Sequence, residues 1–102
     1  MTDLSPIAGL APVHPGAFLA EVVLPALPHG KSEVARLLGI SRRALYNVLE
    51  GKSDITPDLA LRLGKLLGNG GAFWMNLQVQ HSLREAEARL AGELEAIPTI
   101  AA

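Results

Sequence analysis

"SEVARLLGISRRALYNVLEGK", residues 32–52, holds two short apolar-periodic segments separated only by Gly39, Ile40 and Ser41. Val34, Ala35, Leu37 and Leu38 recur at helical spacing in the first segment, and Leu45, Val48 and Leu49 in the second. Gly39 follows the last periodic residue of the first, where a left-handed C-terminal turn costs glycine least. Ser41 reads as the next N-cap, because its hydroxyl can accept from a free first-turn amide. Ile40 and Leu45 flank that cap at hydrophobic-staple spacing, whereas Ala44 stands where a capping box needs Glu or Gln. The pattern predicts helices over about 31–38 and 42–50. Two helices joined by so short a glycine-containing turn are the sequence form of a helix-turn-helix.

With Leu45, Val48 and Leu49 turned inward, the second helix leaves Arg42, Arg43, Tyr46 and Asn47 on its other faces. A helix braced in this way fits the major groove of B-DNA, about 12 Å wide, with its N-terminal residues nearest the base edges. Arginine can donate two bonds to guanine O6 and N7, and Asn47 can pair with adenine N6 and N7. Lys31 and Ser41 each stand at a helix start, where amides and a side-chain donor suit a phosphate. Lys52 follows the end of the second helix and can hold the DNA backbone on its far side.

Outward from this core, Pro15 suits a first helical position, and Phe18, Leu19, Val22, Val23 and Leu27 form an apolar face ended by Pro25, Pro28 and Gly30. Thr56-Pro57-Asp58 opens a fourth helix whose apolar side is Leu59, Ala60, Leu63, Leu66 and Leu67, and Gly68-Asn69-Gly70-Gly71 stops it. A last helix covers about 72–90 and can extend to Glu95. Residues 1–12, with Pro6, Gly9 and Pro12, read as a flexible arm, residues 13–95 as the domain with its helix-turn-helix at 31–51, and residues 96–102 as a C-terminal tail. The tail, "AIPTIAA", is apolar and broken by Pro98, so it can fray or lie as a short strand against a partner. The expected architecture is all-α, with five helices in one domain.

The net charge of −1 hides a gradient. Asp3 and Glu21 leave residues 1–30 at −2. Lys31, Arg36, Arg42, Arg43, Lys52, Arg62 and Lys65 outweigh Glu33, Glu50, Asp54 and Asp58, so residues 31–65 stand at +3. Residues 66–102 return to −2, their alternating Glu/Arg run suiting intrahelical pairs on a solvated face. The basic excess sits where DNA contact is expected.

Other chemistry lacks its parts. The chain has no cysteine, which removes disulfides, thiolate metal sites and thiol nucleophiles and fits a reducing cytoplasm. No run approaches the roughly 18 apolar residues of a membrane span. His14, His29 and His81 are scattered without an accompanying acidic cluster, so no metal is expected. Ser32, Ser41 and Ser82 have no evident base and orienting acid, and Gly68–Gly71 follows a helix without the Gly-Lys-Ser/Thr of a P-loop. No enzyme and no cofactor are expected. Phe73 and Trp74 read as core, with a dimer interface as the other reading of Trp74.

Three stretches, "HPGAFLAEVVL", "EVARLLGISRRALYNVLEGKSDITPDLALRLGKLLG" and "FWMNLQ", together resemble the HigA family of antitoxins, also called VapI-type, within the Cro/C1-like (XRE) helix-turn-helix superfamily. The resemblance covers about residues 13–83. It implies a lambda-repressor-like five-helix domain, usually a homodimer, that binds operator DNA and represses its own operon. It also implies a partner, a HigB-like toxin of the RelE-fold ribonuclease class, which the antitoxin neutralises. By the superfamily pattern, Arg42, Arg43 and Asn47, with Tyr46 beside them, fall at base edges, and Lys31, Ser41 and Lys52 at phosphates. Gly30-Lys31 departs from a common Ser-Gln start, and Gly70-Gly71 replaces a usual Ser-Pro, leaving the last helix weakly capped. A repressor without a toxin partner, and a toxin-binding module without DNA binding, are the competing readings.

Overall fold

The computed structural model describes residues 14–100; the arm expected over 1–12 lies outside the described residues, as do Val13, Ala101 and Ala102. Among the described residues every regular element is helical. The first, α1 (Pro15–Phe18), runs on as a π-helical segment over Leu19–Val23 and a 3₁₀ turn over Leu24–Ala26. Then follow α2 (Lys31–Leu38), α3 (Arg42–Leu49), α4 (Pro57–Leu67), α5 (Gly71–Arg89) and α6 (Ala91–Glu95). The extension expected at the end of the last helix is present, but it breaks at Leu90 into a separate short helix.

The core is aliphatic around one indole. Leu19, Val34, Ala35, Leu38, Leu45, Val48, Ile55, Leu59, Ala60, Leu63 and Trp74 are buried together. Each large side chain taken fully out of water there contributes about 1.5–3 kcal/mol. Three residues assigned to the core by periodicity are instead exposed: Val22, Leu37 and Leu66. Val22 is displaced because the π-helical segment changes the phase of the helix, so that Leu19 and Leu24, five residues apart, turn inward together. Leu37 and Leu66 flank the buried positions of α2 and α4 and line a shallow apolar groove with Leu61, Arg62 and Lys65.

Specific polar contacts fix the frame around α2 and α3. Gly39 ends α2 in the left-handed conformation (φ 76°), its amide donating to the Arg36 carbonyl while Ile40 donates to Ala35. Arg62 reaches across from α4 and donates from Nη1 to the Leu38 carbonyl at 2.7 Å. One cation of the basic middle segment thus closes the end of α2. Gln78 on α5, buried, accepts from the Ile55 amide at 2.7 Å and donates to Ser82 Oγ at 3.0 Å. This ties the loop between α3 and α4 to the long helix. The Trp74 indole N–H donates to Asn69 Oδ1 at 3.0 Å, which anchors the start of α5 where Gly70 supplies no side-chain cap. Phe73, beside it, is 40 % exposed and so does not join the core as expected.

Candidate nucleic-acid interface

The outer face of α3 is built by holding the inner face still. Ser41 has extended backbone angles, and its Oγ accepts from the Ala44 amide at 3.0 Å, so the expected N-cap is in place. Leu45 and Val48 are buried, and the helix stops where Gly51 turns left-handed (φ 76°). Lys52 and Ser53 then both donate their amides to the Asn47 carbonyl, at 2.8 and 3.1 Å. Both ends of the helix are therefore fixed, and its remaining face is aimed outward.

That face gathers the expected readers. Arg42, Arg43, Tyr46 and Asn47 line a single open depression together with Glu50 and Lys52. Arg42, Arg43 and Tyr46 are exposed and Asn47 is half-buried. Arg43, Asn47 and Glu50 follow one another at i, i+4 and i+7, one row along the helix. Arg42 leans the other way, its Nη1 lying 3.5 Å from Ser32 Oγ in the first turn of α2, at the long limit of a hydrogen bond. Arg42 is thus directed toward the start of α2.

The expected phosphate contacts bracket this depression. Lys31 opens α2 after Gly30, which provides no side-chain cap, and its Nζ stands 5.8 Å from the centroid of the Tyr46 ring. A cation at that range is weakly attracted to the ring face. Tyr46, Leu49 and Glu50 line a second depression with Lys31, so the α2 start and the α3 face are continuous. The Ser41 hydroxyl is engaged as an acceptor, and its O–H remains a donor. On the far side, Lys52 Nζ sits 3.1 Å from Glu50 Oε1, both side chains being largely exposed. Exposed pairs of this kind contribute at most about 1 kcal/mol and exchange readily for another anion.

Sequence reasoning missed the residues that support α3 from behind. His14 Nδ1 accepts from the Gly16 amide at 2.9 Å and caps α1. That bond assigns the proton to Nε2, which is buried, 3.5 Å from Asp54 Oδ1, yet makes no hydrogen bond. His81 packs edge-on against the same ring, 4.9 Å between centroids. Gly16 lies against the backbone of Val48, so closely that a Cβ would overlap its carbonyl oxygen. The one signal available in the sequence was the glycine directly after a helix-starting proline, where no turn needs it.

Among the described residues, no group of three or more His, Asp or Glu side chains could hold a metal ion, and no helix is long and apolar enough to cross a membrane.

The helix-turn-helix family model matches residues 28–73, which span α2 through the start of α5. Virulence-associated protein I of Dichelobacter nodosus is 31 % identical over 75 residues, covering 74 % of this chain and 69 % of that protein. Among solved structures, antitoxin GraA in complex with its operator superposes with a TM-score of 0.84 at 30 % identity, covering 96 % of this chain and all of that one. Pseudomonas aeruginosa antitoxin HigA with the higBA promoter gives a TM-score of 0.82 at 31 % identity, covering 88 % of this chain and 99 % of that one.

Proposed function

Because the chain belongs to the HigA (VapI-type) family of helix-turn-helix proteins, we propose that it is a DNA-binding antitoxin that represses its own operon. The observation that carries this reading is the single outward face of α3. Four side chains able to address base edges share one depression there, with cationic or hydroxyl donors at either end. On duplex DNA, α3 enters the major groove, Arg43 and Asn47 meet base edges, and Arg42 and Tyr46 lie toward the strand that Lys31 holds. Ser41 and Lys52 fix the backbone on either side of the reading helix. Contacts of the first kind specify sequence and those of the second set register.

One α3 reads too few bases to be selective, so the functional unit is a homodimer placing two such helices about 34 Å apart on one face of the duplex. The far half of α5 supports this. Every residue from Glu87 to Ile100 is exposed, and Val79, Leu83, Leu90, Leu94 and Ile97 present apolar side chains to solvent at spacings of three, four and seven. Such an arm gains little stability from its own body and suits pairing with a second copy.

The antitoxin role further assigns a HigB-like partner, a RelE-fold ribonuclease whose activity this protein neutralises in the cytoplasm. Both partnerships are tested by expressing the neighbouring reading frame with and without this chain. Growth arrest relieved by co-expression, together with a shift of the DNA upstream of the pair, supports the reading. An upstream shift with a harmless neighbour makes the protein a stand-alone repressor. Relief without any shift makes it a toxin-binding module.

A further inference from the structure

Glu50 also lines the depression on the outer face of α3. It follows Asn47 by three residues and Arg43 by seven, and so extends their row by one turn. It borders both depressions, and is the only acid among the described residues lining either. It also occupies the C-cap of α3, at the negative end of the helix dipole, where a carboxylate is disfavoured. The helix dipole therefore gives no reason for an acid here. The carboxylate rests against Lys52 Nζ at 3.1 Å, and Lys52 is the cation assigned to a phosphate. When Lys52 turns to the DNA backbone, the Glu50 carboxylate loses this partner while remaining on the border of the depression.

An ionised carboxylate can only accept hydrogen bonds. Of the atoms along the major-groove edge, only cytosine N4 and adenine N6 donate; guanine O6 and N7 and thymine O4 are acceptors. We propose that Glu50 is a specificity determinant that selects cytosine or adenine, the bases with an amino group, on the strand it faces and penalises guanine or thymine at that position of the strand. This rests on the DNA-reading assignment of α3. It differs from a general repulsion of DNA, because the matched operator supplies the carboxylate with a partner and other sequences do not.

The test is selection from a duplex pool carrying a randomised central segment, with the full chain, Glu50→Gln and Glu50→Ala. It is followed by affinities for the selected duplex, its three single-position variants and a scrambled duplex. Glu50 is exposed, and circular-dichroism melts check that both variants remain folded. The full chain is expected to restrict one position per half-site to cytosine or to adenine, and the single-position duplexes tell which amino group is read. Glu50→Ala is expected to lose that restriction while keeping the others, and to bind the scrambled duplex several-fold tighter, since no unpaired carboxylate is left beside the bases. Glu50→Gln retains a neutral acceptor and falls between. Variants that select the same base everywhere, or that gain equally on every duplex, overturn the proposal. A full chain that selects no sequence overturns the DNA-reading assignment itself, which keeps the two failures apart.

Discussion

The α-carbon of Gly16 rests on the backbone carbonyl of Val48, so α1 is a prop for α3 and has no room for a side chain at the point of support. Gly16 and Val48 are both buried, and Val48 is the last residue but one of α3. The His14 cap and Pro15 start fix where α1 begins, and with it where Gly16 meets α3.

Gly16→Ala therefore forces α1 and α3 apart. Overpacking against backbone costs about 1–3 kcal/mol, and thermal denaturation should show it as a Tm lower by roughly 5–15 °C for a domain of this size. DNA affinity should fall beyond what the lost stability explains, because the outer face of α3 is re-aimed. An unchanged Tm would mean that the two helices are not in contact in solution.

Gln78 makes the corresponding tie from the other side. Gln78→Leu keeps the volume and removes the acceptor from the buried Ile55 amide, a loss of about 1–3 kcal/mol, measurable by urea denaturation. Ser82→Ala removes only the partner of Gln78 Nε2, at a half-buried position, and should cost about 1 kcal/mol or less. Equal costs for the two variants would show that the Ile55 contact is not the one that matters.

These two supports mark the boundary of what was legible in the sequence. The helix-turn-helix was readable because its signals are local: Gly39 and Ser41 each act within one turn of their own position. The outward-facing set of α3 followed, since a helix with Leu45 and Val48 inward has only one face left. Contacts between distant segments were not readable. Nothing within a few residues of Gly16, Arg62 or Gln78 indicates Val48, Leu38 or Ile55 as their partners. Val22 failed for a related reason, because a π-helical segment shifts the phase on which periodicity depends. The pairing of Lys52 with Glu50 was equally invisible, and it changes what a phosphate contact at Lys52 must first break.

The apolar arm yields a prediction about assembly. Leu83→Glu combined with Leu90→Glu places carboxylates on its exposed apolar stripe without touching the core. Sedimentation should show a monomer in place of a dimer, with Tm of the domain nearly kept and binding to a two-half-site duplex sharply weakened. A double variant that still sediments as a dimer would move the interface elsewhere.

Equilibrium binding at two salt concentrations tests whether the outward face of α3 recognises sequence. The duplex is the DNA immediately upstream of the protein's own reading frame, with a scrambled duplex as reference. The full chain should prefer the upstream DNA by about a thousandfold or more. Lys52→Ala should weaken binding to both duplexes alike and lower the salt slope by about one. Arg42→Ala with Arg43→Ala should bring upstream binding down to the level of the scrambled duplex. If that double variant keeps the full chain's preference, α3 is not the element that reads DNA.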